Sequence, residues 1–536
     1  MDVVYPFRSI GLNIHEGLAR NITETVVLSP PGSPAPGRQM VDAAYNSFSV
    51  EFSYMADYAG NDTHPNLFSK QVVQNLYDIS GAYPFFRVGG STQNSAVYYP
   101  NQTDAIIAPF SSPAADQPSK SMLGPAFMQS FRQLPAGVRY IYGTKLVPRL
   151  LFFQDWAKTD SHIIHQGLNF FNPKNETLFN VGDGLAQSVL EANAAYNALG
   201  DSLYAFEIGN EVDGWPGGQR RPEDWTIQSY VTQWNQYATA ISQNLTGTDT
   251  ARLFQGCAFE APRHLENRTR WNIQNAELDG MRSDKAKTIS DHEYMGANCH
   301  YTGVGPTIET TLFDRSNMLG RVWYHDYLGT ATSKSGIPYV LGETNSISCQ
   351  GAFNISDVMA SAVWAVDYVL YLSTLKVQRV HFHMGTRYRY SPWQPVYYND
   401  TDPHVNPLYY GSLFTAAVFA GGDKQTEVLV NETHFGAYAV YGSEELESII
   451  AVNLNMWNST FEPAARAYTA LTLPISWASA KVSRLTNPGV DVAENITLAG
   501  QYVDLNGRIV GKKNYENVEE GQVLVGAGEA VLIQLQ

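Results

Sequence analysis

Cysteine is scarce: Cys257, Cys299 and Cys349 are the only three in 536 residues. Three thiols cannot build the disulfide framework of a small secreted scaffold, and their spacing fits no zinc motif. Positive charge is also short, with 35 Lys and Arg against 51 Asp and Glu and a formal net charge of −16. That balance opposes long-range attraction of nucleic acid or of a heavily sulfated polyanion. No run of 18 apolar residues occurs, so a helical membrane span is not expected. The GxxxxGK phosphate loop and the GxSxG elbow of serine hydrolases are both missing. These absences leave an expectation of no nucleic acid partner, no membrane partner, no metal and no cofactor.

What is present belongs to a globular chain: 44% hydrophobic residues and 16% charged ones. The length suggests two domains, one of which could be a barrel of ~250 residues or more. Aromatic residues reach 12%, with 32 Tyr and 10 Trp. Flat aromatic faces stack on sugar rings, and they also fill cores. Eleven Asn-x-Ser/Thr sequons, at Asn21, Asn61, Asn101, Asn175, Asn244, Asn267, Asn354, Asn399, Asn431, Asn458 and Asn495, predict a secreted, N-glycosylated protein. Met1 and Asp2 begin without a basic-then-apolar leader, so an export signal is expected to be absent from this stretch.

Residues 1–40 are strand-like in patches and end in the proline-rich stretch 30–36, a linker or crossing segment. Beyond residue 46 the pattern alternates strand and helix. Strands are predicted at 47–52, 85–88, 203–208, 253–259, 288–292, 339–341 and 378–383. Helices are predicted at 66–80, 185–199, 227–245, 307–330, 357–375 and 407–420. For the third strand both 138–146 and 162–170 fit. Roughly eight β–α pairs with right-handed crossovers point to a (β/α)8 TIM barrel, an α/β fold. After Gly421-Gly422 short strands separated by turn residues follow, as in an all-β sandwich. The expected division is therefore 1–40, contributing a strand to the sandwich; 41–422, the barrel; and 423–536, the sandwich. Cys299 and Cys349 both follow predicted barrel strands and are paired on that basis; three buried thiols are the alternative.

Barrel enzymes carry their chemistry where strands end at the C-terminal face. Residues 203–211 (LYAFEIGNE) end the fourth strand with Asn210 and Glu211, and residues 338–343 (PYVLGE) end the seventh with Glu343. One strand-end glutamate alone is better explained as a structural carboxylate. Two of them across one barrel mouth match glycoside hydrolysis, which needs one carboxyl protonated to assist the leaving oxygen and one ionised to attack the anomeric carbon. His381-Phe-His383 could suggest a metal pair. Strand alternation puts both on one face with no nearby acid or cysteine, so core or pocket histidines are expected instead.

The Asn-Glu after strand four and the Glu after strand seven resemble the signature of clan A glycoside hydrolases. More narrowly, the chain resembles glycoside hydrolase family 79, the β-glucuronidase and heparanase-like enzymes. The stretches that carry the likeness are 49–52 (SVEF), 87–92 (RVGGST), 167–170 (GLNF), 207–211 (EIGNE), 291–294 (DHEY) and 342–346 (GETNS). The resemblance implies that Glu211 is the acid/base and Glu343 the nucleophile. Asn210 would bond the sugar 2-hydroxyl, Tyr294 would hydrogen-bond the nucleophile and hold it ionised, His292 would be among the substrate-binding residues, and Glu51 and Ser91 would contact sugar hydroxyls. One departure matters. The family's loop after the nucleophile usually carries a tyrosine and a glycine for the uronate carboxylate, and here Ser348 stands where the tyrosine is expected. Carboxylate binding would then fall to Ser348, Gln350, Gly351 and backbone amides, or to Arg387 and Tyr390 after strand eight.

The reading is thus a retaining, exo-acting β-glucuronidase, with 4-O-methyl-glucuronide as an accepted variant and a glucuronide-containing glycan or glycoside as its partner. A clan A β-glycosidase for neutral sugars and a catalytically silent carbohydrate-binding protein are the alternatives.

Overall fold

The computed structural model describes residues 20–146, 181–217, 221–247, 252–260, 270–299 and 305–535. Eight parallel strands close into a barrel: β1 (Asn46–Glu51), β2 (Phe85–Gly89), β3 (Arg139–Thr144), β4 (Leu203–Ile208), β5 (Phe254–Phe259), β6 (Ala286–Ala297), β7 (Tyr339–Ser348) and β8 (Val380–Met384). Each pairs with its neighbour in chain order, and β8 closes the ring on β1 from Val380↔Asn46 to Met384↔Val50. The third strand is thus 139–144; the alternative at 162–170 and the stretch 167–170 lie outside the described residues.

Helices α1 (Leu67–Ser80), α2 (Val181–Leu199), α3 (Ile227–Thr246), α4 (Ile273–Leu278), α5 (Arg315–Val322), α6 (His325–Ser333), α7 (Met359–Ser373) and α8 (Pro407–Val418) lie between the strands. The first of them follows from its sequence at both ends. The Asn66 side chain accepts from Ser69 N, and Gly81 ends the helix in the left-handed region at φ +83°. Between those caps Val72, Val73 and Leu76 recur on one face and are buried, each worth about 1.5–3 kcal/mol of transfer free energy.

Two elements depart from the sequence reading. The single helix expected over 307–330 is broken into a π-helical turn, Ile308–Leu312, followed by α5 and α6. The break is a capping effect: the side chains of Thr307 and Asp314 each accept a backbone N–H two or three residues on, which starts a new helix each time. The sixth and seventh strands are also longer than expected. They run on together past the barrel rim, paired from His292↔Glu343 through Tyr294↔Asn345 to Ala297↔Ser348. A disulfide between Cys299 and Cys349 staples the far end of this pair, with Cα atoms 5.5 Å apart, and Cys257 remains a buried thiol.

Beyond the barrel, β9 (Lys424–Asn431), β10 (Phe435–Gly442), β11 (Glu445–Asn453), β13 (Lys481–Thr486) and β15 (Glu529–Gln534) form one antiparallel sheet; β12 (Ala467–Thr472) and β14 (Gln522–Gly526) lie in a second. The strand Asn21–Val27 completes the second sheet, parallel to β12. Alternation along β10 and β11 divides the large sheet. Phe435, Ala437, Ile449 and Ala451 face Leu471, Val523 and Val525 of the second sheet, with Leu28 among them. Tyr438, Val440, Ile450 and Val452 face the main core. Helices α7 and α8 are buried almost all round because barrel and sheet cover them from opposite sides. Arg315 fastens the two bodies, bonding Asp367 Oδ2 at 2.8 Å and the Tyr438 hydroxyl at 2.8 Å.

Candidate active site

The C-terminal mouth of the barrel gathers charge in a way its apolar strands do not announce. Arg87 stands in the middle of β2 between Phe86 and Val88, and strand alternation turns it into the barrel interior. Its guanidinium is fully buried. Nε lies 3.1 Å from both oxygens of Glu207, and Nη2 donates to Glu207 Oε1 at 2.5 Å. Nη2 also donates to Asn210 Oδ1 at 2.6 Å, and Nη1 to Glu343 Oε2 at 2.5 Å. One planar fork therefore orients three side chains from β4, the loop after it, and β7. Beneath it Gln255 donates to Glu207 Oε2 at 2.6 Å and Thr288 to Gln255 Oε1 at 2.9 Å, so the supporting layer is itself satisfied.

Glu343, five residues into β7, is 5% exposed. Tyr294 on β6 donates its hydroxyl to Glu343 Oε1 at 2.7 Å. Burial pushes the Glu343 carboxyl up, but His383, His292 (charged only at the acid pH where Glu343 itself titrates) and Arg87, with the Tyr294 hydrogen bond, hold it well below the usual carboxylate range. The Tyr294 hydroxyl is pushed far up by burial and by Glu343, so it stays a donor.

Glu211 is in the opposite condition. Burial, then Glu343, then Glu260 push its carboxyl well above the usual range, outweighing Arg87 and His383. Its oxygen Oε1 lies 2.9 Å from His292 Nδ1. Burial drops the His292 ring to about 4, so that partner is neutral and adds no charge that would strip the proton from Glu211. The backbone of Glu211 is left-handed at φ +49°, and its N–H donates to Ala258 O at 2.8 Å; Cys257 and Ala258 opposite are left-handed too, at φ +67° and +53°. Such conformations in non-glycine residues cost of order 1–3 kcal/mol each and gather where a side chain must be aimed.

Oxygens of Glu211 and Glu343 and a nitrogen of His292 lie within 4.8 Å of one another. The same three donors could hold a metal ion in another setting. Here Arg87 already places a positive charge on Glu343 and would repel a second cation. The arrangement instead offers one carboxyl kept protonated and one kept ionised, with an oxygen of each within 4.8 Å of the other, the pairing that glycoside hydrolysis requires.

The remaining candidates fall at different places. Asn210 is buried, with its N–H donating to Asn94 Oδ1 at 3.1 Å and its Oδ1 held by Arg87. Glu51, 2% exposed, accepts from Thr92 N at 2.9 Å and Thr92 Oγ1 at 2.6 Å, and its other oxygen faces the Tyr388 hydroxyl at 3.2 Å. Gly90 must be glycine: its φ is +108°, and a Cβ there would stand 2.7 Å from the Glu51 carboxylate. Ser91 is half-buried at the start of the turn Ser91–Ser95. Ser348 ends β7, and Gln350 and Gly351 turn in the left-handed region at φ +68° and +86°. Arg389 braces that turn by donating to Cys349 O and Gly351 O, both at 3.2 Å. Tyr390 is buried beside Tyr294, ring centroids 6.1 Å apart. Arg387 is engaged elsewhere: Nη1 donates to Ala115 O at 2.9 Å and the guanidinium lies 4.0 Å over the Phe110 ring.

Arg87, Glu207 and Tyr388 are site residues to which strand-end reasoning gives no role, and strand alternation places His383 no more finely than core or pocket. A signal existed for the first: an arginine inside a buried apolar strand requires buried anionic partners. His383 lies in the pocket, and the expectation of no nearby acid fails for it, because β1 and β7 bring Glu51 and Glu343 to 3.4 and 3.5 Å from its ring; His381 bonds Phe48 O at 3.2 Å and is driven down to about 3 by burial.

Residues 437–532 match the profile of the glycosyl hydrolase family 79 C-terminal beta domain. Over 525 residues, 91% of this chain and 88% of the relative, the sequence is 32% identical to a β-glucuronidase of Aspergillus niger. It is 31% identical over 451 residues to a β-glucuronidase of Neurospora crassa, covering 80% of this chain and 74% of that one. Among solved structures, the fold matches a 4-O-α-L-rhamnosyl-β-D-glucuronidase from Fusarium oxysporum with a TM-score of 0.74 at 22% identity, covering 95% of this chain and 100% of that one. A family 51 α-L-arabinofuranosidase from Bifidobacterium longum matches with a TM-score of 0.55 at 12% identity, over 93% and 97% of the chains. With two opposed glutamates at the mouth of a parallel barrel and relatives that span nearly its whole length, the chain belongs to glycoside hydrolase family 79.

Proposed function

We propose that the protein is a retaining, exo-acting β-glucuronidase in which Glu343 is the nucleophile and Glu211 the acid/base. The observation that carries this reading is the opposed state of two carboxyls within 4.8 Å: Glu343 held ionised, Glu211 held protonated. Glu343 attacks the anomeric carbon while Glu211 gives its proton to the departing glycosidic oxygen. Glu211, now ionised, then takes a proton from the water that displaces Glu343 and restores both groups. Asn210, with its amide oxygen held by Arg87, keeps its amide nitrogen as the donor to the sugar 2-hydroxyl.

Exo action is supported by a wall beside Glu51. Tyr388 joins Glu51 to Gln117 Oε1 at 2.9 Å, and the segment around it is pinned by Tyr54 OH to Asp116 O at 2.5 Å and Arg389 to Asp116 Oδ2 at 2.8 Å. The uronate is the substrate class named for both curated relatives. In this chain the turn at Ser348, Gln350 and Gly351, with Tyr390 beside it, is the proposed site for its carboxylate, and a 4-O-methyl group on the uronate is proposed to be tolerated. Secretion with N-glycosylation is part of the same proposal. Of the nine sequon asparagines among the described residues, Asn21, Asn101, Asn244, Asn354, Asn399, Asn431 and Asn495 are exposed and Asn61 and Asn458 half-buried.

Nitrophenol release from p-nitrophenyl β-glucuronide, β-glucoside and β-galactoside at mildly acidic pH tests the substrate class. Preference for the glucuronide is expected. Release from a neutral sugar alone would keep the two-glutamate chemistry and overturn the uronate. Release from none would leave a longer glycan as the substrate or a silent carbohydrate-binding protein.

A further inference from the structure

His383 on β8 is 3% exposed and stands between two carboxylates. Its Nε2 lies 3.4 Å from Glu51 Oε2, and its Nδ1 lies 3.5 Å from Glu343 Oε2 and 2.9 Å from Ser49 Oγ. Its carbonyl accepts from Asn345 Nδ2 at 2.9 Å, which fixes this part of β8 to β7. We propose that His383 is a positioning residue, held as an imidazolium between Glu51 and Glu343, whose charge sets the pH range in which both catalytic glutamates work. The inference rests on the roles given above to Glu211 and Glu343.

Charge balance is the physical reason. Glu51, Glu207 and Glu343 are buried carboxyls, and among the described residues Arg87 is the one permanent cation bonded to any of them. Glu207 occupies two nitrogens of that guanidinium, which leaves Nη1 for Glu343, and among the described residues Glu51 has no arginine or lysine as a bonded partner. A proton on His383 supplies the missing positive charge at the point where both remaining carboxylates can reach it. Ser49 and Glu51 on β1 and Glu343 on β7 meet the ring, and Arg87 on β2, Glu211 after β4 and His292 on β6 share its field, while Tyr294 on β6 bonds Glu343. Tyr388 and Tyr390 follow β8, with ring centroids 5.9 and 6.2 Å away. Arg87 opposes the proton, His292 is neutral above about 4, and the buried tyrosines keep their hydroxyl protons. Burial pulls His383 down, but Glu343 and Glu51 together carry it above the ordinary histidine value.

The direction in which activity moves with pH separates this role from simple packing. Loss of the cation makes Glu343 harder to ionise, so the acidic limb of kcat/KM moves to higher pH. Glu211 loses the same neighbour and holds its proton longer, so the alkaline limb moves to higher pH as well. In His383→Gln both limbs are expected to rise by about one unit or more, whereas a packing defect lowers kcat with the limbs unmoved. A second measurement needs no substrate: histidine 13Cε1 resonances of the whole protein titrated by NMR. His383 is recognised as the ring that shifts in both Glu51→Gln and Glu343→Gln, and it is expected to titrate above ~6.5 in the native protein and about one unit or more lower in Glu343→Gln. Unmoved limbs in an active His383→Gln enzyme, or a native His383 titrating at or below the ordinary value, would overturn the proposal. Should the native protein cleave no glycoside, the functional reading fails, and the NMR titration alone still decides whether His383 is the imidazolium.

Discussion

Arg87 Nη1 on β2 reaches Glu343 Oε2 on β7 at 2.5 Å across the inside of the barrel, while the rest of its guanidinium holds Glu207. All three groups are buried, so removing the arginine leaves, among the described residues, Glu207 without a cation and Glu343 with the His383 ring alone. Arg87→Met is expected to lower stability by about 3–5 kcal/mol, measured by denaturant unfolding at neutral pH. Arg87→Lys is expected to recover only part of the loss, because one ammonium cannot bond Glu207, Asn210 and Glu343 in a single plane. A loss under 1 kcal/mol in Arg87→Met would contradict the network described here.

Tyr294 OH to Glu343 Oε1, 2.7 Å, is a hydrogen bond to a charged acceptor. Such a bond is worth about 1.5–3 kcal/mol, so Tyr294→Phe should lower kcat/KM about 10- to 100-fold and move the acidic limb to higher pH. An unmoved acidic limb would show that Tyr294 does not hold the charge on Glu343.

The barrel and the two glutamates were legible in the sequence for a simple reason. Alternating strand and helix periods over 46–420 allow few other folds, and the catalytic candidates stand next to glycine or asparagine where apolar runs end. What stayed hidden lies inside strands. Arg87 and His383 sit at alternate positions of apolar runs, and their partners come from strands far away in sequence, 256 residues in the case of Glu343. The length of β6 and β7 was missed because their shared extension is stabilised by pairing with each other, a non-local effect that single-strand patterns do not carry. Arg387 illustrates the converse: it looks like a pocket cation, but two backbone carbonyls of the 113–115 segment and the Phe110 ring claim it.

The pH dependence follows from the opposed carboxyls. Glu343, depressed in the folded state, contributes stability above the ordinary value of about 4.3 and loses it as pH falls through its lower folded value. Glu211, raised in the folded state, acts in the other sense: stability declines as pH climbs from about 4.3 toward its folded value. For activity, the bell of kcat/KM should have its acidic limb below, and its alkaline limb above, the ordinary carboxylate range. Glu211→Ala should abolish the alkaline limb, and should cost far less with a dinitrophenyl glucuronide, whose leaving group needs no proton. An alkaline limb that survives in Glu211→Ala would assign it to another group.

Cys299–Cys349 closes a loop with a sequence separation of 50 beside Ser348 and Gln350. Chain entropy puts the stabilisation near 4 kcal/mol. Cys299→Ser with Cys349→Ser is expected to lower the unfolding midpoint by several degrees and to raise KM for the glucuronide more than it lowers kcat, because the staple holds the turn after β7 and not the carboxylates themselves. An unchanged KM would remove that turn from uronate binding.

The most direct test of the central claim is the anomeric configuration of the first sugar released, followed by 1H NMR during hydrolysis of an aryl β-glucuronide. The double displacement through Glu343 is expected to give β-glucuronic acid first, with the α anomer appearing only later by mutarotation. Release of the α anomer first would mean that water, not Glu343, attacks the anomeric carbon.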